Sequence, residues 1–115
     1  MTDQAINPAT YRELQESAGE EFVNELVDTF LEEAPQMIGD LRAALAARDA
    51  ESYRRQAHSL KSNCNTFGAL TLAGLSRDVE LGGLHDEAGR DQAAVDALAT
   101  EFERVAAALR KLRNA

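Results

Sequence analysis

From residue 19 onward the apolar positions recur three and four apart, the spacing that lines one face of an α-helix. Val23, Leu26, Phe30, Met37, Leu41 and Leu45 mark the first long stripe and predict a helix over about residues 19 to 47. Ser17-Ala18-Gly19-Glu20 at its start fits a capping box. Pro35 should kink this helix, because it lacks an amide donor and crowds the preceding turn. Ahead of it, residues 1–6 read as a loose end, and Asn7-Pro8 as a cap followed by proline in the first position of a short helix ending near Ser17. Tyr53, Ala57, Leu60, Cys64 and Phe67 form the stripe of a third helix, capped by Asp49 and stopped by Gly68. A fourth spans about 69–81, with Leu72, Leu75 and Val79 inward and Gly82-Gly83 ending it. Residues 84–90 are the most loop-like. Asp91 can cap a last helix whose Val95, Leu98, Phe102, Val105, Leu109 and Leu112 make a bundle seam. Arg110, Lys111 and Arg113 fall in its final turn, where positive charge suits the helix dipole.

Short connections make neighbouring long helices antiparallel. The expected fold is all-α: an antiparallel up-down four-helix bundle with a short extra N-terminal helix. Residues 1–18 form a tail and short helix packing on the bundle of 19–115, within a single domain. Besides its core stripe the second helix carries Val27 and Leu31, so its apolar face covers about half the circumference. Either the short first helix covers the surplus with Tyr11 and Leu14, or Val27 and Leu31 form a docking patch for a partner.

Abundant alanine and leucine with few aromatics and prolines agree with an all-helical chain of 115 residues. A formal charge of −8 argues against unaided nucleic-acid binding, which needs a basic footprint, and disfavours anionic membrane surfaces. No apolar run approaches the roughly 20 residues of a membrane span, Met1-Thr2-Asp3-Gln4 begins no signal peptide, and one cysteine permits no internal disulfide. A cytoplasmic monomer is expected, since the apolar seams can be satisfied within one chain. The chain has no glycine-rich phosphate loop, Cys-x-x-Cys pair or Gly-x-Ser-x-Gly elbow, so any reaction must draw its nucleotide from elsewhere.

The polar face of the third helix holds the chemistry. Opposite its buried stripe stand Glu51, Arg54, His58, Lys61, Ser62 and Asn65. A neutral imidazole is a nucleophile near neutral pH, an ammonium group one turn away attracts an anion placed on it, and the small Ser62 leaves room for an approaching partner. Such a face suits a surface phosphohistidine. Cys64 lies about 240° around the helix from His58, a poor geometry for a nucleophilic pair, and reads as a small core residue. His85 has no matching second ligand nearby, so a zinc site with His58 is not expected.

His58-Ser59-Leu60-Lys61, then a small residue, then Gly68-Ala69 ten and eleven positions after the histidine, resembles the histidine phosphotransfer (HPt) domain family. The resemblance covers about residues 20 to 113. It departs from the family's usual pattern at Ser62, where glycine is common, and more mildly at Asn63 and Cys64. It implies a four-helix bundle with the histidine on a middle helix, and assigns His58 as phosphoacceptor and Lys61 to phosphoryl electrostatics. Glu80, twenty-two residues beyond the histidine where members carry glutamine or glutamate, would accept from the His58 Nδ1–H and leave Nε2 free to attack. Ser62 and Gly68 would keep the site clear for docking.

The function so implied is a phosphoryl carrier of a two-component phosphorelay rather than an enzyme. It would accept from a receiver aspartate or a histidine kinase, through transient contacts, and pass the group to a receiver aspartate. It would need no cofactor and no metal of its own, with Mg²⁺ supplied by the receiver. Three alternatives remain at this point. A non-phosphorylated adaptor that blocks a receiver is opposed by intact His58, Lys61 and Glu80. A domain cut from a larger hybrid kinase is weakly opposed by the start at Met1 and the absence of a linker. A metal-binding bundle would need carboxylate–histidine clusters that the spacing lacks.

Overall fold

The computed structural model describes residues 5–85 and 88–113, which form five helices and no strand: α1 (Pro8–Ala18), α2 (Glu20–Ala47), α3 (Ala50–Phe67), α4 (Leu70–Gly82) and α5 (Ala88–Arg113). The helix ends follow local chemistry. Asn7 Oδ1 accepts the amide hydrogens of Ala9 and Thr10 at 3.0 and 3.2 Å, with Pro8 in the first turn. Asp49 Oδ1 accepts from the Ser52 amide at 3.2 Å and starts α3. Gly68 ends α3 in the left-handed region at φ 78°, its amide and that of Ala69 closing on Asn65 and Cys64 carbonyls.

α2 packs on α3 and α5, and α4 packs on the same two helices, so the four close a ring; α1 lies against α2 and α3. Contacts fix the directions. Arg42 pairs with Asp96 at 2.7 Å, and Arg113 grips Asp28 with two bonds of 2.6 and 2.8 Å. Numbers rise along α2 as they fall along α5, so the pair is antiparallel. The interior joins Leu41, Tyr53, Leu60, Leu72, Leu98 and Leu109, all essentially without solvent contact. Full burial of each such leucine stabilises by about 1.5–3 kcal/mol. Phe30 meets Phe67 and Phe102 at centroid distances of 5.4 and 5.9 Å, locking α2, α3 and α5 around one aromatic centre.

Several local expectations change. Ser17 lies inside α1, and Gly19, at φ 95°, takes the N-cap position of α2 with no side-chain bond; the proposed capping box is absent. The left-handed glycine makes the break itself. α2 continues through the exposed Pro35. Its inward line runs Val23, Val27, Phe30, Ala34, Ile38, Leu41, Ala44, with Leu26, Met37 and Leu45 only half-buried. Asp91 does not cap α5 from outside: it stands in the first turn, buried, because the helix begins at Ala88. Residues 1–4 of the expected loose end, and 86–87 of the expected loop, lie outside the described residues. No described helix is long and apolar enough to cross a membrane.

Cys64 is fully buried, and burial pushes its thiol up to about 12. The thiolate is the reactive form. The native protein should therefore stay unmodified by iodoacetamide at neutral pH, by mass spectrometry, and react on unfolding in urea. Rapid labelling under native conditions would contradict this core placement.

Candidate functional site

Burial of Tyr53, Ala57, Leu60, Cys64 and Phe67 turns the other side of α3 outward. His58 stands there with its side chain 56% exposed. On α4, burial of Leu72, Ala73, Ser76 and Val79 leaves Glu80 at the edge facing α3, and the two-residue connection Gly68-Ala69 makes the helices run antiparallel. Glu80 Oε2 lies 2.7 Å from His58 Nδ1, and Glu80 Oε1 lies 2.9 Å from Lys61 Nζ. The carboxylate, with only 12% of its side chain exposed, thus joins a histidine and a lysine one turn apart.

The electrostatics fix the proton. The Lys61 ammonium is the main influence holding the Glu80 carboxyl below its ordinary range; partial burial opposes it, and the His58 hydrogen bond and charge add to the lowering. Glu80 is therefore a carboxylate at neutral pH, able only to accept, so a neutral His58 must donate from Nδ1. The lone pair is then on Nε2. Because the folded value lies below the unfolded one, the contribution of this network is fully present above the ordinary carboxylate range. It is lost as pH falls through the depressed value.

Ser62 is exposed one turn beyond His58 on the same face. Gly68 is not part of it. Ten residues along a helix is about 15 Å, and Gly68 is buried under α1, where an added Cβ would sit 2.7 Å from the Thr10 Cβ and 3.2 Å from that of Asn7. Its missing side chain makes room for the first helix, not for a partner at His58. Val27 is fully buried and so offers no docking surface, while the half-buried Leu31 packs against the same core that takes in Tyr11 and Leu14 of α1. Among the described residues no group of three or more His, Cys, Asp or Glu side chains is placed to hold a metal. Sequence reasoning missed a second imidazole–carboxylate pair, His85 with Asp91, held by Arg48. An aspartate just beyond a glycine-flanked histidine was the available signal.

Two adjoining bundle helices thus hold an exposed histidine and the carboxylate bonded to it. The Hpt domain family model matches residues 25–115, which contain α3, α4 and the whole His58–Lys61–Glu80 cluster. The chain belongs to the Hpt domain family. Hpt proteins are histidine phosphotransfer carriers of phosphorelay signalling rather than enzymes in the usual sense. The crystal structure of histidine-containing phosphotransfer protein B (HptB) from Pseudomonas aeruginosa PAO1 superposes with a TM-score of 0.81 at 28% identity, covering 98% of this chain and 97% of that one. The Sensor protein TorS of Escherichia coli (strain K12) is 29% identical over 100 residues, which is 83% of this chain and 11% of TorS. This Hpt chain therefore spans about a tenth of the length of that curated relative.

Proposed function

We propose that His58 is the phosphoacceptor of this Hpt protein and relays a phosphoryl group between aspartate-bearing receiver domains, or from a histidine kinase to a receiver. The observation that carries the reading is the exposed imidazole whose Nδ1 is held 2.7 Å from the Glu80 carboxylate. Nε2 attacks phosphorus in line: the Nε2–P bond forms, the bond from phosphorus to the donor breaks, and the donor leaves as an aspartate carboxylate or, from a phosphorylated kinase histidine, as a neutral imidazole. Reversal onto a second receiver regenerates neutral His58. Glu80 holds the attacking ring and its tautomer, and Lys61, one turn from His58, offsets charge on the incoming phosphoryl group. The exposed Ser62 leaves space for the receiver beside the ring. Mg²⁺ is brought by the receiver, which supplies most of the remaining charge stabilisation. The interface is transient, the carrier works as a monomer, and the cytoplasm is where it meets these partners.

The test is incubation with a phosphorylated receiver or an autophosphorylated sensor kinase, followed by tryptic mapping at neutral pH. Acid-labile, alkali-stable label on the peptide of residues 56–61 is expected. Binding of these donors without label would favour the adaptor instead. Within the same assay, Glu80→Ala should slow transfer by about 10–100-fold, the scale seen when groups that orient metal-bound imidazoles are removed. Glu80→Gln should lose less, because the amide oxygen still accepts from Nδ1–H. Lys61→Ala should slow transfer without removing the acceptor. Unimpaired rates in both alanine variants would remove the assigned roles.

A further inference from the structure

A second histidine of this chain has the features that make the first one nucleophilic. His85 lies in the connection between α4 and α5, five residues after Glu80 and six before Asp91. Asp91 Oδ1 is 2.6 Å from His85 Nδ1, while its other oxygen accepts the His85 backbone amide at 2.7 Å. The backbone bond alone would anchor the connection; the ring bond adds control of the tautomer. Burial works to raise the Asp91 carboxyl, but the two hydrogen bonds from His85 and the charges of His85 and Arg48 outweigh it and hold it below the ordinary range. Asp91 is a carboxylate and accepts, so the proton of a neutral His85 is on Nδ1 and the lone pair on Nε2.

One-third of the His85 side chain is exposed. A Cβ on Gly82 would meet His85 Cε1 at 3.5 Å and Nε2 at 4.0 Å, so the Nε2 edge lies over a residue with no side chain to shield it. The ring borders an open cavity of about 260 Å³ between α4 and α5, with Tyr53, Asp78, Gly82 and Arg90 among its walls. The charges are mixed. Arg48 Nη2 donates to the His85 carbonyl at 2.6 Å, and Nη1 lies 3.8 Å from Asp91. Arg90, which makes no ion pair among the described residues, can answer an added anion, while Asp78 opposes it.

We propose that His85 is a second phosphorylatable histidine, modified on Nε2 by small phosphoramidate-type donors independently of His58. The Nε2 lone pair forms the new bond to phosphorus, the donor's P–N bond breaks, and its already protonated nitrogen leaves as ammonia. The site goes beyond the relay reading, since no partner domain is needed and His58 takes no part.

The experiment treats the wild type, His58→Gln and His58→Gln/His85→Gln with potassium phosphoramidate at neutral pH, and reads ³¹P NMR and tryptic peptides. His58→Gln should carry one acid-labile phosphoryl group on the peptide of residues 78–90, absent from the double variant. Its rate should exceed that of the same histidine in a synthetic peptide of residues 78–90, because Asp91 fixes the Nδ1–H tautomer and keeps the lone pair on Nε2. Gly82→Leu in the His58→Gln background should keep the helical circular dichroism and lose most of the label, by covering the Nε2 edge. The proposal is overturned if His58→Gln stays unlabelled while the wild type is labelled at residues 56–61. It is equally overturned if His85 reacts no faster than the free peptide, or if Gly82→Leu reacts at an undiminished rate. Absence of label at residues 56–61 in the wild type bears on His58 alone.

Discussion

The His58→Gln protein should unfold within about 0.5 kcal/mol of its parent, yet accept no phosphoryl group from a receiver or a kinase. Stability is spared because more than half of the His58 side chain faces solvent and its described polar contact is the Glu80 carboxylate. A glutamine amide can donate to that carboxylate, and Lys61 still neutralises it from 2.9 Å. Reactivity is lost because an amide nitrogen, its lone pair delocalised into the carbonyl, is no nucleophile toward phosphorus. Urea unfolding and transfer assays on the same preparation separate the two effects. Label from a protein donor at the parent's level would remove His58 from the relay.

Gly68→Val should do the opposite: lower stability by about 2–5 kcal/mol, and leave transfer per folded molecule nearly unchanged. Two costs combine. The left-handed backbone at φ 78° disfavours any L side chain, a branched one most. A Cβ there would also lie 2.7 Å from the Thr10 Cβ, forcing α1 away from the turn it caps through the 2.9 Å bond from the Asn7 amide to the Gly68 carbonyl. Relative to Gly68→Ala alone, adding Thr10→Gly should regain part of the packing share, the Asn7 Cβ at 3.2 Å remaining, and retain the backbone share. Urea midpoints of the single and double variants measure both. A large loss of transfer at unchanged stability would instead place Gly68 at a docking surface.

The contrast between these residues shows what the sequence discloses. The buried stripe of α3 was legible because Tyr53, Ala57, Leu60, Cys64 and Phe67 differ sharply from the charged positions between them. That stripe placed His58 and Lys61 outward without further information. The caps Asn7 and Asp49 were legible because their oxygens act within three residues. The α2 core was harder. Ala34 and Ala44 are buried yet carry little apolar signal, and Val27, outside the stripe that the spacing marks, is buried with them. Gly68 was misread for a related reason. It ends a helix, which is local, but the atoms that crowd it belong to Thr10 and Asn7, about sixty residues earlier. Glu80 was placed through the family resemblance, and its bond to Lys61 depends on how α4 settles against α3. Asp91 carries the signature of a cap, and only the start of α5 at Ala88 turns it inward to His85 and Arg48.

The most direct test of the central claim is the nitrogen that carries the phosphoryl group. Long-range ¹H–¹⁵N spectra of the imidazoles, recorded before and after phosphorylation by a receiver, report it. The His58–Glu80 bond predicts an Nδ1–H tautomer in the resting protein and a phosphorus coupling at His58 Nε2 in the product. Coupling at Nδ1, or on another residue with His58 unchanged, would contradict the account.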